Sequence, residues 1–144
     1  MNIIFVCTGN TCRSPMAEGF MNKIVSDRLL DVLALSRGLM VIPGSKVSPN
    51  SVDAMKEYNI DISNHVPKGI TQSEIQNADL ILTMTSSHCD ALKSAFSSYS
   101  SKIFSLGSYV GMGDIPDPYG ADIDEYKKCA AKIKDMIELL CDMI

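Results

Sequence analysis

The chain has 144 residues, 46% of them apolar, and a formal net charge of −4. That length suits one domain, 1–144, around a single core, and the negative balance gives nucleic-acid binding no electrostatic support. Five cysteines, an odd number without disulfide or zinc spacing, and an early apolar run too short for a signal peptide or membrane span predict a soluble cytoplasmic protein with reduced thiols.

Residues 2–6 read as the first strand. Ile3 to Val6 is a continuous apolar run, the pattern of a strand buried on both faces of a parallel sheet. Helical spacing takes over at 14–29, where Ala17, Phe20, Met21, Ile24 and Val25 share a face. Ser14 is expected to cap this helix, with Pro15 at its first position. Residues 7–13 are then the turn between a strand and a helix N-terminus. Such a turn aims several N–H groups at one concavity, and the helix dipole adds positive potential.

Cys7 lies at the mouth of that field, which favours thiolate over thiol and makes the sulfur a nucleophile. Arg13 adds a planar fork able to hold two oxygens of a phosphoryl group. Ser14 is placed to donate its hydroxyl to the sulfur. Gly9 and Asn10 are expected to take the positive φ values that a tight loop needs. Cysteine is often simply buried, but the Cys-x5-Arg-Ser spacing at a strand-to-helix turn favours catalysis for Cys7. Cys12 reads equally as a core residue or as a redox partner for Cys7.

Further strands are expected at 32–36, 79–84 and 102–105, and further helices at 49–57, 72–77, 86–96 and 122–143. The last helix is marked by Ile123, Tyr126, Ala130, Ile133, Ile137, Leu140 and Ile144 on one face. Alternating strands and helices predict an α/β three-layer sandwich: a four-stranded parallel sheet, helices on both faces, and a phosphate-binding loop after strand 1. Ligands in such sheets bind at the carboxyl ends of strands, where Cys7 stands. Segments 37–48 and 106–121 read as loops bordering the site. His88 reads as a surface residue. Cys89, Cys129 and Cys141 read as core.

Cys7-Thr8-Gly9-Asn10-Thr11-Cys12-Arg13-Ser14-Pro15-Met16-Ala17-Glu18 resembles the signature of the low-molecular-weight protein tyrosine phosphatase family, and Asp117-Pro118-Tyr119-Gly120 resembles its second motif. Ser36, His65 and Leu106-Gly107-Ser108-Tyr109 also fall where that family has similar residues. The resemblance implies Cys7 as nucleophile, Arg13 as phosphate clamp and Asp117 as the acid and then the base. Asp114 is the rival acid, but Asp117 precedes the proline of the matched motif. Thr8, Gly9, Asn10, Thr11, Cys12 and Ser14 would form the phosphate loop. Asn10 would be held by hydrogen bonds from Ser14, Ser36 and His65. Arg37 departs from the family, which usually has alanine there.

The implied substrate is a phosphorylated protein, with no nucleic acid, membrane, metal or cofactor involved; the sequence carries no sign of an oligomeric state. Thr11 bears on specificity. Tyrosine-specific members commonly carry a bulky aliphatic residue there, whereas threonine resembles the protein-arginine phosphatases of the family. A hydroxyl suits a polar, planar guanidinium, and Gly120 removes a second aromatic wall beside Tyr119. The reading leans to protein phosphoarginine, with protein phosphotyrosine as the alternative. A thioredoxin-coupled arsenate reductase would need two closely spaced relay cysteines, and Cys89 has no such neighbour in Thr83-Met84-Thr85-Ser86-Ser87-His88.

Overall fold

The computed structural model describes residues 1–144. Four strands, β1 (Asn2–Cys7), β2 (Leu33–Gly38), β3 (Leu80–Thr83) and β4 (Ile103–Ser105), form one sheet in the order β2-β1-β3-β4. Every pairing is parallel, with Ile4 opposite Leu35 and Ile81. Six helices surround the sheet: α1 (Arg13–Arg28), α2 (Pro49–Lys56), α3 (Gln72–Asn77), α4 (Ser86–Ala95), α5 (Leu106–Val110) and α6 (Ile123–Met143). No helix is long and apolar enough to cross a membrane.

The alternation of β1 explains the layering. Ile3, Phe5 and Cys7 point into a core shared with Met16, Phe20 and Met21 of α1, Met55 of α2, and Ile133 and Ile137 of α6. Ile4 and Val6 point the opposite way, onto Ile75 of α3 and Cys89 and Leu92 of α4. With a core on each side, β1 has no face for polar residues, which is why it reads as an unbroken apolar run. Neighbouring chain connections leave β1 toward β2 and return to β3 on its other side. The Cys7 loop opens at that reversal, where two diverging connections leave a crevice.

The expected layers and parallel sheet are present, and element ends differ from expectation by one or two residues. Two local expectations fail, and one short element was not expected. Segment 106–121 is not all loop: Leu106–Val110 forms α5, capped by the Ser105 hydroxyl, which accepts from the Ser108 amide at 3.3 Å. A 3₁₀ turn at Ser97–Lys102 precedes β4. Ile144 lies beyond the end of α6 and is exposed, so it does not extend the apolar face.

Candidate active site

Residues 8–12 bulge from the carboxyl end of β1 before α1 begins. Carbonyls of Cys7 and of the loop brace it from outside. Cys7 O accepts from Leu39 N at 3.0 Å, Thr8 O from Met40 N at 2.9 Å, and Thr11 O from Ser48 N at 2.8 Å. The amides of Thr8, Gly9, Asn10, Thr11 and Cys12 donate to no protein acceptor. Consecutive unpaired amides beside a helix N-terminus are a ready cradle for an anion. Asn10 takes φ 58°, as expected, but Gly9 does not have a positive φ. A Cβ at Gly9 would meet only Thr11 Oγ1, at 3.7 Å, so neither backbone conformation nor crowding dictates glycine there.

The Cys7 thiol is buried, with Sγ 2.9 Å from Ser14 Oγ. Ser14 is not the helix cap. That position falls to Cys12, and no side chain caps α1; Pro15 accordingly sits in the first turn rather than at its first residue. The Ser14 hydroxyl is instead turned toward the sulfur and accepts from Asn10 Nδ2 at 2.9 Å. Arg13 is only 4% exposed. Its Nη1 donates to Ile115 O at 3.0 Å, and its Nη2 lies 3.6 Å from Asp117 Oδ2. Its Nε is buried without a partner, and a buried guanidinium N–H calls for an acceptor.

Asn10 is the hub behind the loop. The resemblance implied bonds from Ser14 and Ser36; in the structure Asn10 Nδ2 is the donor, to Ser14 Oγ and to Ser36 Oγ at 3.0 Å. His65 Nε2 lies 3.1 Å from both Asn10 O and Asn10 Oδ1. Both partners are acceptors, so Nε2 carries the proton. Burial lowers the His65 pKa, while the Glu18 carboxylate, 3.9 Å from Nδ1, works against that shift. Two contributors went unrecognised in the sequence: Glu18, whose Oε1 accepts from Ser36 N at 2.7 Å, and the Lys68 amide, which donates to Asn10 Oδ1 at 3.0 Å. Glu18 lies one helical turn beyond Ser14, on the side of α1 facing β2, and that spacing was the available signal.

The segment carrying Asp117 is tied down at several points. Asp114 accepts from Ser86 N and Ser86 Oγ, both at 2.9 Å, and Ile115 N donates to Met84 O at 3.1 Å. Asp114 therefore anchors the segment to the start of α4, while the half-exposed Asp117 carboxylate reaches Arg13. Cys7, Thr8, Gly9, Thr11, Cys12, Arg13, Asp117, Tyr119 and Gly120 line one cavity of about 760 Å³. Tyr119 stands 80% exposed at its rim. Ser36 and His65 are outside the cavity and touch its loop at Asn10.

His88 is a further correction. It is half-buried rather than a surface residue, and its Nε2 lies 2.7 Å from Thr8 Oγ1. Tyr126 of α6 also lines the cavity, its hydroxyl 3.5 Å from Cys12 Sγ. Burial pushes the Tyr126 phenol up to about 12, so it stays protonated. All five cysteines are free and buried. Burial likewise pushes Cys129 up to about 12 and raises Cys89, leaving both as thiols. No group of three or more His, Cys, Asp or Glu side chains is placed to hold a metal ion.

Residues 2–144 match the sequence profile of the family described as low molecular weight phosphotyrosine protein phosphatase. A protein-arginine-phosphatase of Bacillus subtilis (strain 168) is 40% identical over 146 residues, spanning 100% of this chain and 97% of that protein. Among solved structures, a low molecular weight protein tyrosine phosphatase from T. tengcongensis superposes with TM-score 0.96 at 41% identity, covering 100% of this chain and 99% of that one. A C7S mutant of YwlE arginine phosphatase with a phosphorylated active site serine gives TM-score 0.95 at 39% identity, covering 99% and 95%. Matched along its whole length and in its fold, the chain belongs to the low molecular weight phosphotyrosine protein phosphatase family, cysteine-based hydrolases that act on phosphoprotein.

Proposed function

We propose that this phosphatase removes phosphate from arginine side chains of proteins through a phosphocysteine intermediate. The Cys7 thiolate attacks phosphorus in line with the scissile N–P bond. The S–P bond forms, and the N–P pair leaves on nitrogen as Asp117 delivers a proton to it. Water then attacks phosphorus and loses a proton to Asp117, the P–S bond breaks, and inorganic phosphate departs. Arg13 Nε and the amides of residues 8–12 hold the equatorial oxygens in both steps, where positioning and electrostatics carry most of the rate. Ser14 Oγ, 2.9 Å from Sγ, stabilises the sulfur when it leaves. The phosphorylated active site serine in the C7S relative supports covalent transfer to the residue at this place.

The observation that carries the substrate class is Thr11 in the wall of the Cys7 cavity, whose lining also includes a Gly120 that adds no ring. A hydroxyl there can accept from a guanidinium N–H, whereas an aryl ring packs better on a branched aliphatic chain. The 40% identical relative named protein-arginine-phosphatase supports the same reading. The test is kcat/KM on matched phosphoarginine and phosphotyrosine peptides, for wild type and Thr11→Ile. We expect wild type to prefer phosphoarginine and Thr11→Ile to lose or reverse that preference. A phosphotyrosine preference in both would replace this reading with a tyrosine phosphatase. Cys7→Ser should keep phosphate binding and lose turnover; retained turnover would remove the covalent route.

A further inference from the structure

His88 has no place in the chemistry described so far, yet it touches the phosphate loop directly. Its Nε2 is 2.7 Å from Thr8 Oγ1, the side chain that follows the nucleophile and lines the same cavity. The other ring nitrogen, Nδ1, is buried and has no hydrogen-bond partner. Burial and then the Arg13 charge hold the ring pKa below its ordinary value, against the opposing pull of Asp117 and Asp114. Those three charged groups, from α1 and from the segment before α6, are the ones that face it. A neutral imidazole carries its proton on one nitrogen only.

That choice decides what Thr8 offers. With the proton on Nδ1, a buried N–H would be left without an acceptor, and orphaned buried N–H groups are rare because they forfeit solvation outright. With the proton on Nε2, His88 donates to Thr8 Oγ1, and only a ring lone pair is left unpaired. Thr8 Oγ1 has no other protein partner. Its own hydrogen is then free and directed away from the ring.

We propose that His88 is a positioning residue that, as its Nε2–H tautomer, turns the Thr8 hydroxyl into a donor toward the anionic end of the substrate in the Cys7 cavity. Thr8 thereby adds a side-chain donor to the row of loop amides, on the side of the loop facing α4. This rests on the reading of the cavity as a phosphoryl-transfer site, and its test is built to separate the two.

Nitrogen-15 NMR of the ring reads the tautomer without any turnover: Nε2 should show the protonated shift and Nδ1 the bare one. The reverse pattern would overturn the proposal. Kinetics on an aryl phosphate supply the second readout. Thr8→Val and His88→Ala should each lower kcat/KM about tenfold, the worth of one good hydrogen bond. The double variant should be no worse than either, since both remove the same donor. His88→Gln, whose amide N–H reaches the place of Nε2, should restore most of the rate. Additive losses, or no recovery in His88→Gln, would mean His88 only packs α4 against the loop. Loss of turnover in Cys7→Ser with no effect of the Thr8 and His88 variants would keep the phosphatase and overturn this role for His88.

Discussion

Asn10 combines a positive φ of 58° with a side chain that bonds at both ends, to Ser14 and Ser36 through Nδ2 and to His65 and Lys68 through Oδ1. Asparagine tolerates this conformation better than alanine, which pays about 1–2 kcal/mol for it. Asn10→Ala should therefore lose about 3–4 kcal/mol, from backbone strain and buried groups left unpaired. Asn10→Gly, free of the strain, should lose roughly 1 kcal/mol less. Urea midpoints check this, and equal losses would show that the φ contributes nothing. Residues that touch along one stretch of chain were legible in the sequence: Cys7, Arg13 and Ser14 lie within eight positions. Ser14 was misplaced as a cap because capping rules weigh only local amides, whereas here the buried sulfur and Asn10 claim the hydroxyl. His88 was missed because its partner, Thr8, is 80 positions away and meets it only after β1 and β3 have paired.

At the scale of elements, strand ends and helix starts do the positioning. Gly38 closes β2 against the back of the phosphate loop, where an added Cβ would lie 2.6 Å from Val41 Cγ2 and 2.8 Å from Thr8 O. The valine methyl can move; the backbone oxygen cannot without shifting the loop. Gly38→Ala should cost about 1–3 kcal/mol, as overpacking does, and should lower turnover with it. Thermal melts and aryl phosphate assays on the same samples check both; a melt shift with full activity would free the loop from β2. Asp114 is the analogous tie on the other side, holding the Asp117 segment to Ser86. Asp114→Ala should lower kcat several-fold while leaving inhibition by inorganic phosphate nearly unchanged, because the Ile115 N–H bond to Met84 O still holds the carbonyl that orients Arg13. Weakened phosphate inhibition would show that the anchor shapes the anion cradle too. Strands and long helices were legible because each is buried along a regular stripe. The short α5 was not: five residues show too little periodicity to read, and it forms where the Ser105 hydroxyl caps it and Gly107 leaves room for Gly113 O.

Across the whole molecule, the pH response follows from both histidines lying partly in the interior. Burial lowers His65 and His88 alike from the ordinary 6.5. As pH falls, the unfolded chain takes up these protons first. The stability they contribute is therefore complete above 6.5 and is lost as pH drops through the lower folded-state values. NMR titration should place both below 6.5, and urea midpoints should decline through that window; a histidine titrating above 6.5 in the folded protein would contradict this. The sheet has one more consequence. β1 lies between two strands that come later in the chain, and Cys12 rests against Tyr126, from the element farthest along it. A polypeptide still emerging from the ribosome thus carries its sulfur on a strand with no neighbours and a loop with no frame. The cavity is therefore complete only once α6 has docked, not when the Cys7 loop is synthesised. Regain of turnover after dilution from denaturant accordingly reports the joining of parts from both ends of the chain, which recovery of helix content alone does not.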